Sequence, residues 1–313
     1  MWLPPRRLRG ASEPAAGSCA FVTGGPRANL PGIACVVRRL RQLQTRHAVV
    51  VAMPAAEVEG VRSRLPDVDE FLAWTPFPHH YRRTNWGRTN VLDKLNVLAS
   101  PYARVVWLDP DMYVKEDVDD LCTLPANVTF AAVINAGVEE RTCWAPPDPE
   151  ASRRLGRPTF QEASWRCQDC AHEGASRWAR KKPPCRFMLN TGVMSLQPLR
   201  SAEEFLGRVL EPIRRGEVAS REGSDQGATN SLLYAHNLFE GVFVLDSAFN
   251  RLARVYSMRP LAWRSTRIIH FSGETKPWRQ PRPQDVAAQK LRRQIRPLLD
   301  AWNRTCGGYR EMV

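Results

Sequence analysis

Asp109 and Asp111, in the segment Asp109-Pro110-Asp111, are the pair in this chain best suited to do chemistry. They follow Val105-Val-Trp-Leu108, an apolar run of strand length. Both carboxylates therefore fall at the carboxyl end of a buried strand, where open α/β sheets bind their ligands. Carboxylates two residues apart can reach one hard divalent cation, and such a cation neutralises a departing diphosphate as a Lewis acid. A turn that merely ends a strand carries the same residues, so the pair must be read with its company. That company is Arg186-Phe-Met-Leu-Asn190-Thr-Gly192, Glu222-Gly-Ser-Asp225-Gln226-Gly227 before a helix, and Ile268-Ile-His270-Phe-Ser-Gly273-Glu-Thr-Lys276-Pro-Trp278.

The elements that position these groups read as alternating strands and helices. Cys19-Ala-Phe-Val-Thr23 and Ala48 to Met53 are buried strands, and Arg104 to Leu108 is a third. Ile33 to Leu43 has apolar residues at helical spacing, Glu57 to Leu65 is a short helix, and Thr89 to Ala99 is another. Leu121 to Leu124 and Thr129 to Ile134 continue the strand pattern. After residue 185, Phe187 to Gln197 resumes core-like order. Helices follow over Ala202 to Ile213 and Asp225 to Tyr234, strands over Gly241 to Leu245 and Arg267 to Phe271, and a basic helix over Gln284 to Trp302. This order predicts an α/β fold, with helices on both faces of a mostly parallel sheet.

Composition narrows the function. With 313 residues, 43% of them hydrophobic, the chain can bury one large core. The formal charge of +13 comes from 39 arginines and only six lysines, spread along the whole chain. A nucleic-acid binder concentrates such charge in a patch or stripe, so no nucleic-acid partner is expected. The excess still favours encounter with an anionic ligand. No apolar run approaches the roughly 20 residues needed to span a bilayer. The segment 1–18 reads as a disordered arm without the apolar core of a secretory signal. Asn127-Val-Thr and Asn303-Arg-Thr are glycosylation triplets, which arise often by chance.

The ordered blocks Ala20-Phe-Val-Thr23, Lys94, Trp107-Leu-Asp-Pro-Asp-Met-Tyr-Val114, Asn190-Thr-Gly192, Gly223-Ser-Asp-Gln-Gly227 and His270 to Trp278 resemble glycosyltransferase family 8, the glycogenin and galactinol synthase family. The resemblance implies a GT-A-type α/β/α sandwich with a Rossmann-like nucleotide half over residues 19–280. It implies a retaining, manganese-dependent transferase that moves glucose or galactose from a UDP-sugar to the hydroxyl of a carbohydrate, polyol or protein. Glucuronic acid is the alternative sugar, and an inactive scaffold the alternative role. Asp109, Asp111 and His270 match the family's metal ligands. Thr23, Gly24, Lys94, Asp109, Asn190, Gly192, Gly273 and Lys276 match its donor-binding positions, with Lys276 on the diphosphate and Arg83 as a looser match. Asn190, Asp225 and Gln226 match its sugar-facing catalytic positions. Pro110 departs from the small residue usual between the aspartates, and Gly24 to Asn29 lacks the family's usual polar and tyrosine run. A homodimer is compatible with this reading.

Residues 136–185 form an insert rich in proline, arginine and tryptophan that carries Cys143, Cys167, Cys170 and Cys185. Four thiolates can bind structural zinc tetrahedrally; two disulfides or free thiols are the alternatives. Galactinol synthases resemble the chain here, with a C-x-x-C in a comparable insert. Tyr256 lies near the stretch where a self-glucosylating relative would carry its acceptor. The cytosol is the default compartment, and the Golgi lumen the alternative if an anchor precedes the given sequence. Residues 281–313 form a C-terminal helix and tail.

Overall fold

The computed structural model describes residues 6–7, 17–77, 91–134, 189–215, 217–218, 225–258 and 263–312. In chain order the strands are β1 (Arg6–Arg7), β2 (Cys19–Gly24), β3 (Ala48–Pro54), β4 (Glu70–Trp74), β5 (Arg104–Leu108), β6 (Met112–Val114), β7 (Phe130–Ile134), β8 (Leu189–Leu196), β9 (Val242–Leu245), β10 (Arg251–Leu252) and β11 (Ile268–His270). The main helices are α1 (Leu30–Gln42), α2 (Ala55–Arg62), α3 (Asp225–Ala235), α4 (Val286–Gln294) and α5 (Arg296–Cys306).

Eight strands form one sheet in the order β1-β4-β3-β2-β5-β8-β7-β9. Strands β4, β3, β2 and β5 are mutually parallel, β8 runs antiparallel between β5 and β7, and β7 is parallel to β9. Alternate residues of β2 show why its run is continuously apolar: Ala20 and Val22 enter the core on one face, Cys19 and Phe21 the core on the other. Helices α1 and α2 cover the second face; α3, a 3-10 helix over Val91–Ala99 and the helical turns at 202–214 cover the first. The expected α/β/α sandwich is thus present.

A second sheet, β10-β11-β6, stands beside the first. It packs with α5 around Tyr113, Ile269, Phe271 and Trp302. Its register sets His270 opposite Met112 and Leu252 opposite His270. This pairing joins the segment after Asp111 to residues more than a hundred positions later.

Several local readings change. Leu121 to Leu124 is not a strand; a 3-10 turn spans Asp119–Cys122. The C-terminal helix breaks at Ile295 because Pro297 lacks an N–H and suits only a helix's first turn. Within the segment 1–18 read as a disordered arm, Arg6 and Arg7 pair as a short strand with Ala73 and Leu72 of β4. β4 itself, five residues that begin on Glu70 directly after Asp67 and Asp69, escapes the sequence reading. The four cysteines outside the insert form two disulfides, Cys19–Cys122 and Cys35–Cys306. Cys143, Cys167, Cys170, Cys185 and Arg83 lie outside the described residues.

Candidate active site

Strand β5 delivers Asp109 directly, and the Asp109 amide donates to the Gly192 carbonyl of β8 at 2.8 Å. The chain then turns through Pro110, with the Met112 amide donating to the Asp109 carbonyl at 3.1 Å, and enters β6. The Phe271 amide donates to the Asp111 carbonyl at 2.9 Å, so the small sheet holds Asp111 and His270 together. One ligand atom each of Asp109, Asp111 and His270 lie within 4.8 Å of one another.

Hydrogen bonds around His270 fix its tautomer. The Gly192 amide donates to Asn190 Oδ1 at 2.9 Å, which identifies that atom as the amide oxygen. Asn250 Nδ2 donates to the same oxygen at 2.8 Å, leaving Asn250 Oδ1 to face His270 Nδ1 at 2.9 Å. Nδ1 therefore carries the proton, and the Nε2 lone pair points toward Asp111 Oδ1, 3.4 Å away. An outer hydrogen bond on one ring nitrogen that frees the other is how proteins orient a ligating histidine. Asp111 Oδ1 is itself buried and accepts no hydrogen bond. A buried carboxylate oxygen without a donor costs on the order of 1–3 kcal/mol, and a cation would satisfy it.

Two lysines complete the charge pattern. Lys276 Nζ donates to Asp111 Oδ2 at 2.8 Å. Lys94 Nζ donates to Asp109 Oδ1 at 2.8 Å and to the Thr191 carbonyl at 3.1 Å, and it pairs with Asp225. Burial alone would lower the Lys94 ammonium, but Asp109 and Asp225 hold it well above its ordinary range. Burial would likewise raise Asp111, but the Lys276 ammonium holds it far below the usual carboxylate range. Asp109 is pushed up by burial against the pull of Lys94. Three carboxylates against two ammonium groups leave one negative charge with the imidazole neutral. A divalent cation would reverse that sign and create a field suited to a diphosphate. The donor set of two carboxylates and an imidazole fits manganese, or another hard to borderline divalent ion.

These groups line a cavity of about 770 Å³. Gly24, Lys94, Asp109, Asp111, Asn190, Gly192, Asp225, Gln226, His270, Gly273 and Lys276, all named from the sequence, line it. Thr23 does not line it; its side chain is buried in β2 with Oγ1 unpartnered. Gly192 is fixed by packing, because a Cβ there would stand 2.4 Å from Met112 Cε and 2.7 Å from His270 Cε1. Gly273 adopts φ +66°, a left-handed conformation that favours glycine. Pro110 contributes its carbonyl: a Cβ on Gly32 of α1 would meet that oxygen at 2.2 Å and the Trp278 ring at 2.4 Å. Tyr256 stacks edge-on against Trp263 and is not among the cavity-lining residues.

The family model for glycosyl transferase family 8 matches residues 71–281. The chain belongs to that family. No curated protein matches it by sequence. Among solved structures, the family 8 fold seen here is similar to the galactosyltransferase LgtC, solved with donor and acceptor sugar analogues, at 15% identity and a TM-score of 0.52 over 89% of this chain and 95% of that one. WbbM, a bifunctional glycosyltransferase, is 17% identical with a TM-score of 0.53; the match covers 95% of this chain but about half (53%) of WbbM. GlyE of Streptococcus pneumoniae is 14% identical with a TM-score of 0.50, over 91% of this chain and 64% of that one. The chain is a glycosyltransferase of GT-A fold.

Three residues of this family 8 site have no role assigned from the sequence, although Thr191 and Trp107 lie inside its motif blocks. Asn250 orients His270, Thr191 Oγ1 donates to Asp225 Oδ2 at 2.7 Å, and Trp107 Nε1 donates to Asp109 Oδ1 at 2.7 Å. Each acts on a partner far away in sequence or hidden by strand alternation. Arg254, exposed on the cavity wall, is a further residue that the motifs do not reach.

Proposed function

We propose that the chain transfers a hexose, glucose or galactose, from a UDP-sugar to an acceptor hydroxyl with retention at the anomeric carbon, and that Mn²⁺ serves the reaction. The observation that carries this reading is the Asp109–Asp111–His270 cluster, with an orphaned buried carboxylate oxygen and a free imidazole nitrogen, opening into the cavity. Bound there, the ion would supply Lewis-acid neutralisation of the leaving diphosphate. Lys276 lies on Asp111 and lines the cavity, where its point charge would stabilise a leaving diphosphate. Gly24 and the turn after it form the nucleotide end, where a Cβ on Gly24 would collide with the Ala52 carbonyl at 1.8 Å. Asn190, Asp225 and Gln226 form the sugar end. Thr191 and Lys94 hold the Asp225 carboxylate in one orientation, as a group facing an oxocarbenium-like centre requires.

UDP release from UDP-glucose, UDP-galactose and UDP-glucuronic acid, with and without Mn²⁺, tests this directly. Metal-dependent release from a hexose donor, lost in Asp111→Asn, is the expected result. Release only from UDP-glucuronic acid would replace the donor. Absence of both release and calorimetric binding of Mn²⁺–UDP would overturn the reading in favour of a scaffold.

The compartment reading follows from the cysteines. No helix among the described residues is long and apolar enough to cross a membrane. The two disulfides support an oxidising lumen over the cytosol. Thiol alkylation of the protein unfolded in denaturant, before reduction, checks this: Cys19, Cys35, Cys122 and Cys306 should resist modification until a reductant is added.

A further inference from the structure

The sequence holds two Asn-x-Thr triplets, Asn127-Val128-Thr129 and Asn303-Arg304-Thr305. The fold separates them. Asn127 is exposed in a reverse turn, closed by the Val128 amide donating to the Pro125 carbonyl at 2.9 Å, just before β7. Its side-chain amide makes no hydrogen bond among the described residues. Asn303 is half-buried inside α5, and the Thr305 hydroxyl lies 3.2 Å from that of Tyr113. Cys306, next in sequence, is fully buried and bridged to Cys35.

Asn127 also lies at the favourable end of the molecule. Strands β5 and β7 are both antiparallel to β8 and so run the same way. Asp109 follows the carboxyl end of β5, whereas Asn127 precedes the amino end of β7. The two stand at opposite ends of the sheet, and a bulky group on Asn127 projects away from the cavity. The Cys19–Cys122 bridge lies at this same end, five residues before Asn127.

We propose that Asn127 is an N-glycan acceptor and that Asn303 is not. The inference rests on the lumenal reading of the disulfides. In the reaction, Asn127 Nδ2 bonds to C1 of an oligosaccharide carried on a lipid diphosphate. The C1–oxygen bond breaks, the lipid diphosphate leaves with the electron pair, and the amide nitrogen loses one proton. The fold also dictates timing. Thr129 Oγ1 accepts from the Gly241 amide at 3.0 Å and is 3.2 Å from its carbonyl, and the Asn127 carbonyl fills the space where a Gly241 Cβ would stand. Once residue 241 docks, the triplet is locked. Transfer therefore precedes that docking, while the later chain is still emerging.

The test is expression of the full chain behind a cleavable secretory leader in a eukaryotic host, followed by peptide-N-glycanase and site mapping. One glycan is expected, at Asn127. It should be lost in Asn127→Gln, kept in Thr129→Ser and unaffected in Asn303→Gln. Asn127→Gln should retain UDP release within about twofold, because Asn127 stands at the end of the sheet opposite the cavity. A folded, disulfide-bonded product without a glycan at Asn127, or with its glycan at Asn303, overturns the proposal. Thiol alkylation, in denaturant and before reduction, of the protein from its native source tests the compartment independently, so the two failures are distinguishable.

Discussion

Strand β5 ends in a buried cation on one side and buried carboxylates on the other, and the two ends use charge differently. At the amino end, the Arg104 guanidinium donates to the carbonyls of Val128 at 3.0 Å, Pro125 at 3.3 Å and Leu124 at 3.4 Å, and to Ser195 Oγ at 3.3 Å. That charge is consumed by the protein's own backbone and ties β5 to the turn before β7. At the carboxyl end, the carboxylates of Asp109, Asp111 and Asp225 outnumber the ammonium groups of Lys94 and Lys276, and Asp111 Oδ1 is left without a donor. A buried charge fully spent on carbonyls stabilises a fold. A buried cluster with an acceptor left over is preorganised for a ligand.

This contrast can be broken at the open end first. Asp111→Asn should reduce transfer about a thousandfold or more, because it removes electrostatic stabilisation of the leaving group. Circular dichroism of the variant should show an intact fold; loss of the fold would mean that Asp111 is structural, like Arg104. At the closed end, the order reverses. Cys122→Ser opens a bridge spanning 103 residues of sequence, and chain-entropy reasoning sets the loss at about 4–5 kcal/mol. Denaturant unfolding should show that loss, while the folded fraction keeps its kcat. Arg104→Met should cost about 3 kcal/mol, since it leaves buried carbonyls without a donor. Its signature is a lower unfolding midpoint with KM unchanged; a changed KM would tie Arg104 to the site.

The smallest effect sharpens the comparison through pH. Asp93 lines the cavity, its Oδ2 has no partner, and burial raises its carboxyl to about 6. A carboxyl raised in the folded state binds more protons there than in the unfolded chain, so stability falls as pH rises from about 4 to about 6. The shift corresponds to at most about 3 kcal/mol. Asp93→Asn should therefore raise the thermal midpoint at pH 7, with a net gain of about 1–2 kcal/mol after weakening the bond from the Phe77 amide. The gain should vanish near pH 4. An equal gain at both pH values would assign it to packing instead.

What the sequence determined by itself was set by local chemistry. Continuous apolar runs made β2, β3 and β5, because a strand covered on both faces tolerates no polar alternation. Aspartates after such a run sit at a ligand-binding edge, and the ordered motifs named the family's metal, diphosphate and sugar positions, nearly all of which the fold gathers around one cavity. Tertiary structure alone decided the rest. The three-stranded sheet that sets His270 beside Asp111 joins residues 112–114, 251–252 and 268–270, and no local pattern encodes that pairing. Asn250 acquires its role only once that sheet forms, as does the Nε2 lone pair it frees. Cysteine spacing drew attention to the insert, yet Cys19–Cys122 and Cys35–Cys306 are brought together by the packing of elements up to 271 residues apart. Proximity across such separations is a product of the packed core, which a linear pattern does not contain.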